Sequence, residues 1–186
     1  MNKIKTKFRG LFIVNSKVYR DKRGWLKEEF KKKFIKKNLI FTLVSNSKRN
    51  VLRGLHMQTK KSQDKFLSVL KGKVLDVAVD LRKNSKTYGK HFKIILSEKN
   101  GKHLFVPKGF AHGILGLDKE NILHYACSNY RDPKSELSIK WNDTDLKINW
   151  GVKKPVISKK DKLALTFKDF EKNKKWKKLY LLVAVE

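Results

Sequence analysis

In the stretch "NVLRGLHMQ", residues 50 to 58, His56 follows Asn50 by six positions and Arg53 by three, among residues that otherwise favour a strand. An imidazole in that setting can be a buried spacer, a metal ligand or a general base. A site of two histidines and a carboxylate would put a second histidine two residues on and a glutamate soon after. Those positions hold Gln58 and then "TKKSQDK", so the first half of a metal site is missing. The single cysteine, Cys127, excludes a thiolate cluster and an intrachain disulfide, and in its strand-like run it reads as core packing. Neither GxxxxGKS/T nor GxGxxG occurs, so a nucleotide would be held by side chains and not by a glycine-rich helix start. No GxSxG elbow supports nucleophilic catalysis. Proton transfer remains. A base that removes a hydrogen beside a carbonyl needs a histidine held in one tautomer by a carboxylate, an acid on the opposite face if configuration is to invert, and a cation or donor at the developing enolate oxygen. His56, a downstream aspartate, a tyrosine and Lys65 can supply these groups, and spacing alone does not choose the partners.

The elements that must position them read as short strands from residue 40 to 130, recurring about every 8 to 12 residues with turns between. "KFLSVLKGKVLDVAVDL" carries a hairpin signature at Lys71-Gly72, Asn100-Gly101 marks a second hairpin turn, and Pro107 to Gly109 a third. With no 10 to 15 residue helical pattern between strands, the spacing predicts an antiparallel sandwich or barrel and not a doubly wound sheet. An amphipathic helix is expected at "LKEEFKKKFIKKN", where Leu26, Phe30, Phe34 and Ile35 would share a face, and a second at the lysine-rich end. From about Trp141 onward the chain has few strand signals and is expected to be an ordered coil wrapping a core.

At 186 residues the chain can bury one substantial core without disulfides. The expected organisation is a single domain over 1–170 and a lysine-rich C-terminal extension over 171–186. The N-terminus "MNKIKTKFRG" is not followed by a long apolar run, and the longest apolar stretches fall far short of the roughly 20 residues of a membrane span. A cytoplasmic location, with no membrane partner, is therefore expected. The excess of 46 Lys+Arg over 17 Asp+Glu gives a formal charge of +29. That invites a polyanion, but the excess is lysine spread evenly and not a compact patch mixing arginine and aromatics, so a solvated surface is favoured over a nucleic-acid site.

Taken together, "RDKRGWLKEEF", "NVLRGLHMQ", "DVAVDLR", "LFVPKGFAHGILGL", "HYACSNYRDPKSE", "IKWND" and "PVISKKD" resemble, in order from about residue 8 to 165, the dTDP-4-dehydrorhamnose 3,5-epimerase family, a branch of the cupins. The resemblance implies an all-β cupin jelly-roll barrel with short flanking helices, free of metal and other cofactors, usually a homodimer with exchanged strands. Its implied substrate is a nucleotide-diphospho-4-keto-6-deoxy sugar of a cell-surface carbohydrate pathway, inverted at C3 and C5. Carried over residue by residue, it puts the base on His56, the orienting carboxylate on Asp161, the acid on Tyr125 and the cation near the keto oxygen on Lys65. His112 is implied as a second pocket histidine, and Arg23, Glu28, Asn46, Arg53, Arg131, Glu136 and Lys160 as substrate contacts. Two positions depart from the family pattern: Val44 stands where a glutamine is common, and Arg131 where a tyrosine commonly stacks on the thymine. An arginine plane can stack on a base as well, and its edge donors would suit a purine such as that of GDP. Alternatives within the fold are epimerisation at C3 alone and 3,4-ketoisomerisation; outside it, a non-catalytic basic barrel that binds nucleic acid.

Overall fold

The computed structural model describes residues 1–173, so all but the start of the expected extension over 171–186, with most of the helix expected there, lies outside the described residues. Thirteen strands build the described chain. The first sheet runs in the order β1 (Asn2–Lys5), β2 (Phe12–Asn15), β10 (Lys102–Val106), β7 (Lys65–Lys71), β12 (Glu120–Cys127), β5 (Phe41–Lys48). The second runs β13 (Glu136–Ser138), β6 (Leu52–Gln58), β11 (Phe110–Gly116), β8 (Lys73–Asp80), β9 (His91–Ser97). A separate ribbon pairs β3 (Val18–Asp21) with β4 (Gly24–Lys27). Every pairing within these sheets is antiparallel, and the two sheets face each other as the antiparallel sandwich expected from the strand spacing and as the jelly roll that the resemblance implies.

The three expected hairpins form differently. Lys71-Gly72, Asn100-Gly101 and Pro107 to Gly109 each join a strand of one sheet to a strand of the other, so none of them closes a hairpin. Turn residues state that the chain changes direction, whereas the next strand's partner is set by which apolar face must be covered. The hairpins present are β1–β2, β3–β4 and β8–β9.

The helix expected over Leu26 to Asn38 is absent. Residues 24–27 pair with β3, only a 3-10 turn forms at Lys32–Phe34, and Leu26 is exposed while Ile35 is buried. A helix would stack Lys32 on Lys36 and Lys33 on Lys37 at the repulsive four-residue spacing. The extended form instead lets Lys27 turn inward, where its Nζ donates to the Val69 carbonyl at 2.8 Å and meets Glu29 at 3.0 Å.

Three apolar clusters follow from the period-2 alternation of the strands. Leu67, Val69, Leu104 and Leu123 meet Ala78, Leu96, Phe110 and Ile114 between the sheets. The outer face of the first sheet, with Phe12, Phe66 and Phe105, is covered by Ile35, Phe34 and Leu39. The outer face of the second, with Leu55, Met57, Val77 and Val79, is covered by Leu146, Trp150 and Phe170. This last cover is the C-terminal segment, an irregular wrap as expected, ending in the short helices α1 (Lys159–Lys162) and α2 (Phe167–Lys172). Each large side chain so buried contributes about 1.5–3 kcal/mol, which anchors a segment that has little hydrogen-bonded structure of its own. Among the described residues no helix is long and apolar enough to cross a membrane.

Candidate active site

A cleft of about 670 Å³ opens between the two sheets, and nine of the twelve residues singled out in the sequence converge on it from both walls. On the second sheet, β6 carries Arg53 and His56, β11 carries His112 directly opposite His56, and β13 carries Glu136. On the first, Lys65 of β7 stands opposite Cys127 of β12, and Tyr125 lies two residues before it on the same face. The C-terminal wrap closes one side with Lys160 and Asp161.

Glycine explains how β6 and β11 come close enough. Gly54 has φ +130°, and a Cβ there would stand 2.5 Å from the Gly113 Cα and 2.8 Å from the His112 carbonyl oxygen. The glycines of "RGLH" and "FAHG" thus let the two histidine strands pack backbone to backbone.

His56 Nε2 lies 2.6 Å from Asp161 Oδ1. Burial pushes the Asp161 carboxyl up, but the bonds from His56, the Ser158 hydroxyl and the Gly54 amide outweigh it and leave the group below its ordinary value. Asp161 is therefore a carboxylate at neutral pH and only accepts, so Nε2 carries the ring proton and the neutral imidazole presents its lone pair at Nδ1. Asp161 is itself placed by its helix end: Ser158 caps α1 and its hydroxyl accepts from the Asp161 amide at 3.0 Å.

His112 is held by a different carboxylate. Its Nε2 lies 2.9 and 3.0 Å from the two oxygens of fully buried Asp76 on β8, and its ring meets Tyr125 edge-on at 6.4 Å. Burial is the main reason the Tyr125 phenol is pushed up to about 12, with Asp76 adding to the rise and Ser45 and Arg53 opposing it. Tyr125 thus holds its proton throughout the neutral range. Lys65 shifts the other way: burial pulls its ammonium down, partly offset by Cys127, Glu136 and Asp76. Among the described residues no three His, Cys, Asp or Glu side chains come together as metal ligands.

Cations and one carboxylate line the mouth. Arg53 donates to the Ser47 hydroxyl at 2.9 Å and the Asn46 carbonyl at 3.0 Å. Arg131 reaches Glu136 at 3.4 Å, and Lys160 reaches it at 2.9 Å. Three expected substrate contacts do not line the cleft of this single chain. Asn46 donates to Glu120 at 3.0 Å on the outer side of β5. Arg23 forms an ion pair with Asp21 at 2.6 Å at the tip of the β3–β4 ribbon, and Glu28 pairs with Lys31 at 2.7 Å. The ribbon's separate pairing carries these two away from the cleft.

The structure adds residues to the set. Asp76 has a readable signal, a carboxylate inside the otherwise apolar "VLDVAVD". Cys127, read as core packing, is indeed buried but lines the cleft beside Lys65. Ser45, also on the wall, had no signal beyond its place on a strand.

Residues 5–169 match the family model described as dTDP-4-dehydrorhamnose 3,5-epimerase. The chain is 41% identical to the dTDP-4-dehydrorhamnose 3,5-epimerase of Methanothermobacter thermautotrophicus, across 86% of this chain and 90% of that one. With the Escherichia coli protein of the same name the identity is 39%, over 81% and 85%. Among solved structures it is similar to the dTDP-6-deoxy-D-glucose-3,5-epimerase of Legionella pneumophila in complex with dTDP-4-keto-L-rhamnose, with a TM-score of 0.84, 40% identity and coverage of 89% and 92%.

Proposed function

The chain belongs to the dTDP-4-dehydrorhamnose 3,5-epimerase family, and from that premise we infer an isomerase that converts dTDP-4-keto-6-deoxyglucose to dTDP-4-keto-rhamnose by proton transfer at C3 and C5. The observation that carries this reading is the placing of His56 with Asp161 on one wall and Tyr125 on the facing wall of a single cleft.

The 4-keto group acidifies both neighbouring C–H bonds. His56 Nδ1 takes the C3 proton, the C–H pair forms a C3=C4 bond, and the carbonyl π electrons move onto the C4 oxygen. The Lys65 ammonium faces that oxygen and stabilises the charge as it develops. Tyr125 then gives its phenolic proton to C3 from the opposite side and the carbonyl re-forms, leaving C3 inverted, a tyrosinate and an imidazolium. Proton exchange resets both groups. A shift of the sugar ring presents C5 to the same pair for a second inversion. Arg53 and Lys160 supply the diphosphate contacts, Arg53 through a planar fork that fits phosphate oxygens, Arg131 stacks its guanidinium plane on the base, and His112 borders the sugar.

Arg23, Glu28 and Asn46 belong to this site only if another subunit is present. The β3–β4 ribbon exposes Tyr19, Trp25 and Leu26, and the edge strand β5 exposes Val44. We therefore infer a cytoplasmic homodimer in which the ribbon of one protomer reaches the cleft of its partner.

Turnover of dTDP-4-keto-6-deoxyglucose in deuterated water, followed by NMR at C3 and C5, tests the chemistry. His56→Asn is expected to abolish both inversion and deuterium uptake at C3. Tyr125→Phe is expected to keep base-side exchange while inversion slows by a factor of about 100 to 10,000. Wild-type exchange in His56→Asn removes the base assignment, and equal loss of exchange and inversion in Tyr125→Phe removes the acid assignment.

A further inference from the structure

His56 is flanked by two carboxylates and not one. Besides Asp161 on Nε2, the Glu136 Oε1 atom lies 3.9 Å from Nδ1, the nitrogen that the tautomer argument leaves free to receive a proton. That distance is too long for a hydrogen bond in the resting state, but short enough for a carboxylate to stabilise the imidazolium once Nδ1 is protonated.

Glu136 is also occupied elsewhere. Lys160 Nζ stands 2.9 Å from the same Oε1, and Arg131 stands 3.4 Å from Oε2. Burial pushes the Glu136 carboxyl up, but the Lys160 bond, with the charges of His56, Lys160 and Arg131, brings it below its ordinary value, so it is ionised at neutral pH. Both of its cations are about half exposed at the cleft mouth, at 47% for Lys160 and 60% for Arg131, whereas Glu136 is 11% exposed. An arriving anion therefore meets the cations first and the carboxylate behind them. The Glu136 carboxylate beside His56 is thus balanced by the two cations it pairs with.

We propose that Glu136 is a positioning residue that couples nucleotide binding to proton abstraction: a nucleoside diphosphate that draws Lys160 to its phosphates and Arg131 to its base leaves the Glu136 carboxylate uncompensated beside His56 Nδ1. This rests on the reading of the cleft as a nucleotide-diphospho-sugar site. The carboxylate's support for a proton on Nδ1 is thereby greatest when the substrate's diphosphate is seated. The remaining titratable groups that line the cleft around His56 are Arg53 on its own strand, His112 on β11 with Asp76 behind it, Lys65 on β7, and Tyr125 and Cys127 on β12. None of these is within ion-pairing distance of Glu136, whose described ion pairs are with His56, Arg131 and Lys160.

Protonated His56 is inactive as a base, so it sets the acid limb of the rate profile, and a nearby carboxylate favours the protonated form and moves that limb to higher pH. The limb of kcat/KM reports the free enzyme and the limb of kcat reports the complex. In Glu136→Gln the kcat limb is expected to fall by about one pH unit, the size of an unscreened charge near 4 Å in a wet site. In the free enzyme the half-exposed Lys160 and Arg131 swing to solvent once the carboxylate that holds them is gone, so the kcat/KM limb moves by less than half as much. The diphosphate's own charge acts on His56 in both enzymes and cancels in the comparison. A structural role for Glu136 would lower rates without separating the two limbs.

Lys160→Gln provides the second arm: in the otherwise wild-type enzyme a kcat/KM limb that fails to rise overturns the coupling, and that reading does not need Glu136→Gln to fold. Removing Lys160 releases Glu136 without ligand, so the kcat/KM limb is expected to rise, and to rise by more than the same substitution produces in a Glu136→Gln background. Equal movement of both limbs in Glu136→Gln, or an equal Lys160→Gln effect in the two backgrounds, overturns the coupling. If the wild-type chain does not epimerise dTDP-4-keto-6-deoxyglucose at all, it is the proposed function that fails; if it does and the limbs move together, only the role of Glu136 fails.

Discussion

Replacing Asp161 by asparagine keeps the size of the side chain and changes one thing at His56, the identity of the group facing Nε2. The carboxylate accepts from three donors, His56 Nε2 at 2.6 Å, the Ser158 hydroxyl and the Gly54 amide. An asparagine has one oxygen for these three donors. If that oxygen stays with the backbone amide, its NH2 group faces Nε2 and donates, which forces the ring proton onto Nδ1, where the substrate's proton must go. The loss then has two parts. A charge-assisted bond to the imidazolium is worth about 1.5–3 kcal/mol, or roughly a factor of 10 to 150 in rate. Reversal of the tautomer adds further loss, and the two together are expected to lower kcat by about 100- to 10,000-fold, the range of a general-base contribution. Binding should change little, because Asp161 meets His56 and not the nucleotide. The assay is initial-rate turnover with deuterium uptake at C3 read by NMR, alongside calorimetric titration of dTDP to confirm an intact mouth. An Asp161→Asn enzyme that exchanges C3 within about threefold of wild type while binding dTDP normally would refute the tautomer argument, and with it the choice of Nδ1 as the base nitrogen.

Gly54→Ala is expected to destabilise the fold by about 2–5 kcal/mol, combining overpacking against the Gly113 backbone with strain at a positive φ; urea unfolding that shows a loss below about 1 kcal/mol would mean β6 and β11 can part without cost. The inferred homodimer predicts sedimentation at twice the chain mass at micromolar concentration, and Trp25→Ala together with Leu26→Ala should shift the population toward monomer, since both side chains are exposed on the ribbon of a single chain. A wild-type protein that sediments as a monomer and still epimerises would remove the need for Arg23 and Glu28 from a partner.

Much of this protein is legible in its sequence alone. Short apolar runs of period 2, broken by glycine, asparagine and proline, require a strand-rich sandwich, because alternation exposes one face of each strand and only a second layer can cover it. His56 is conspicuous for its setting, and the blocks around it carry the family resemblance that names Tyr125, Asp161 and Lys65 as its company. What local pattern cannot contain is which strand lies beside which. Lys71-Gly72 looks the same whether the chain folds back on itself or crosses to the other sheet, and here it crosses. The segment after Leu26 has a helical apolar period, yet pairing with β3 and the inward turn of Lys27 outweigh a helix that would stack lysine on lysine. The site is decided at the same non-local level. Asp161 is 105 residues from His56 in the chain and 2.6 Å away in space, and Glu136 reaches Nδ1 only because β13 pairs with β6. Residue types state which chemistry is available, while the tautomer of His56, the wall each group stands on and the cations that restrain Glu136 arise from long-range packing, which brings together groups whose separation along the chain carries no trace of it.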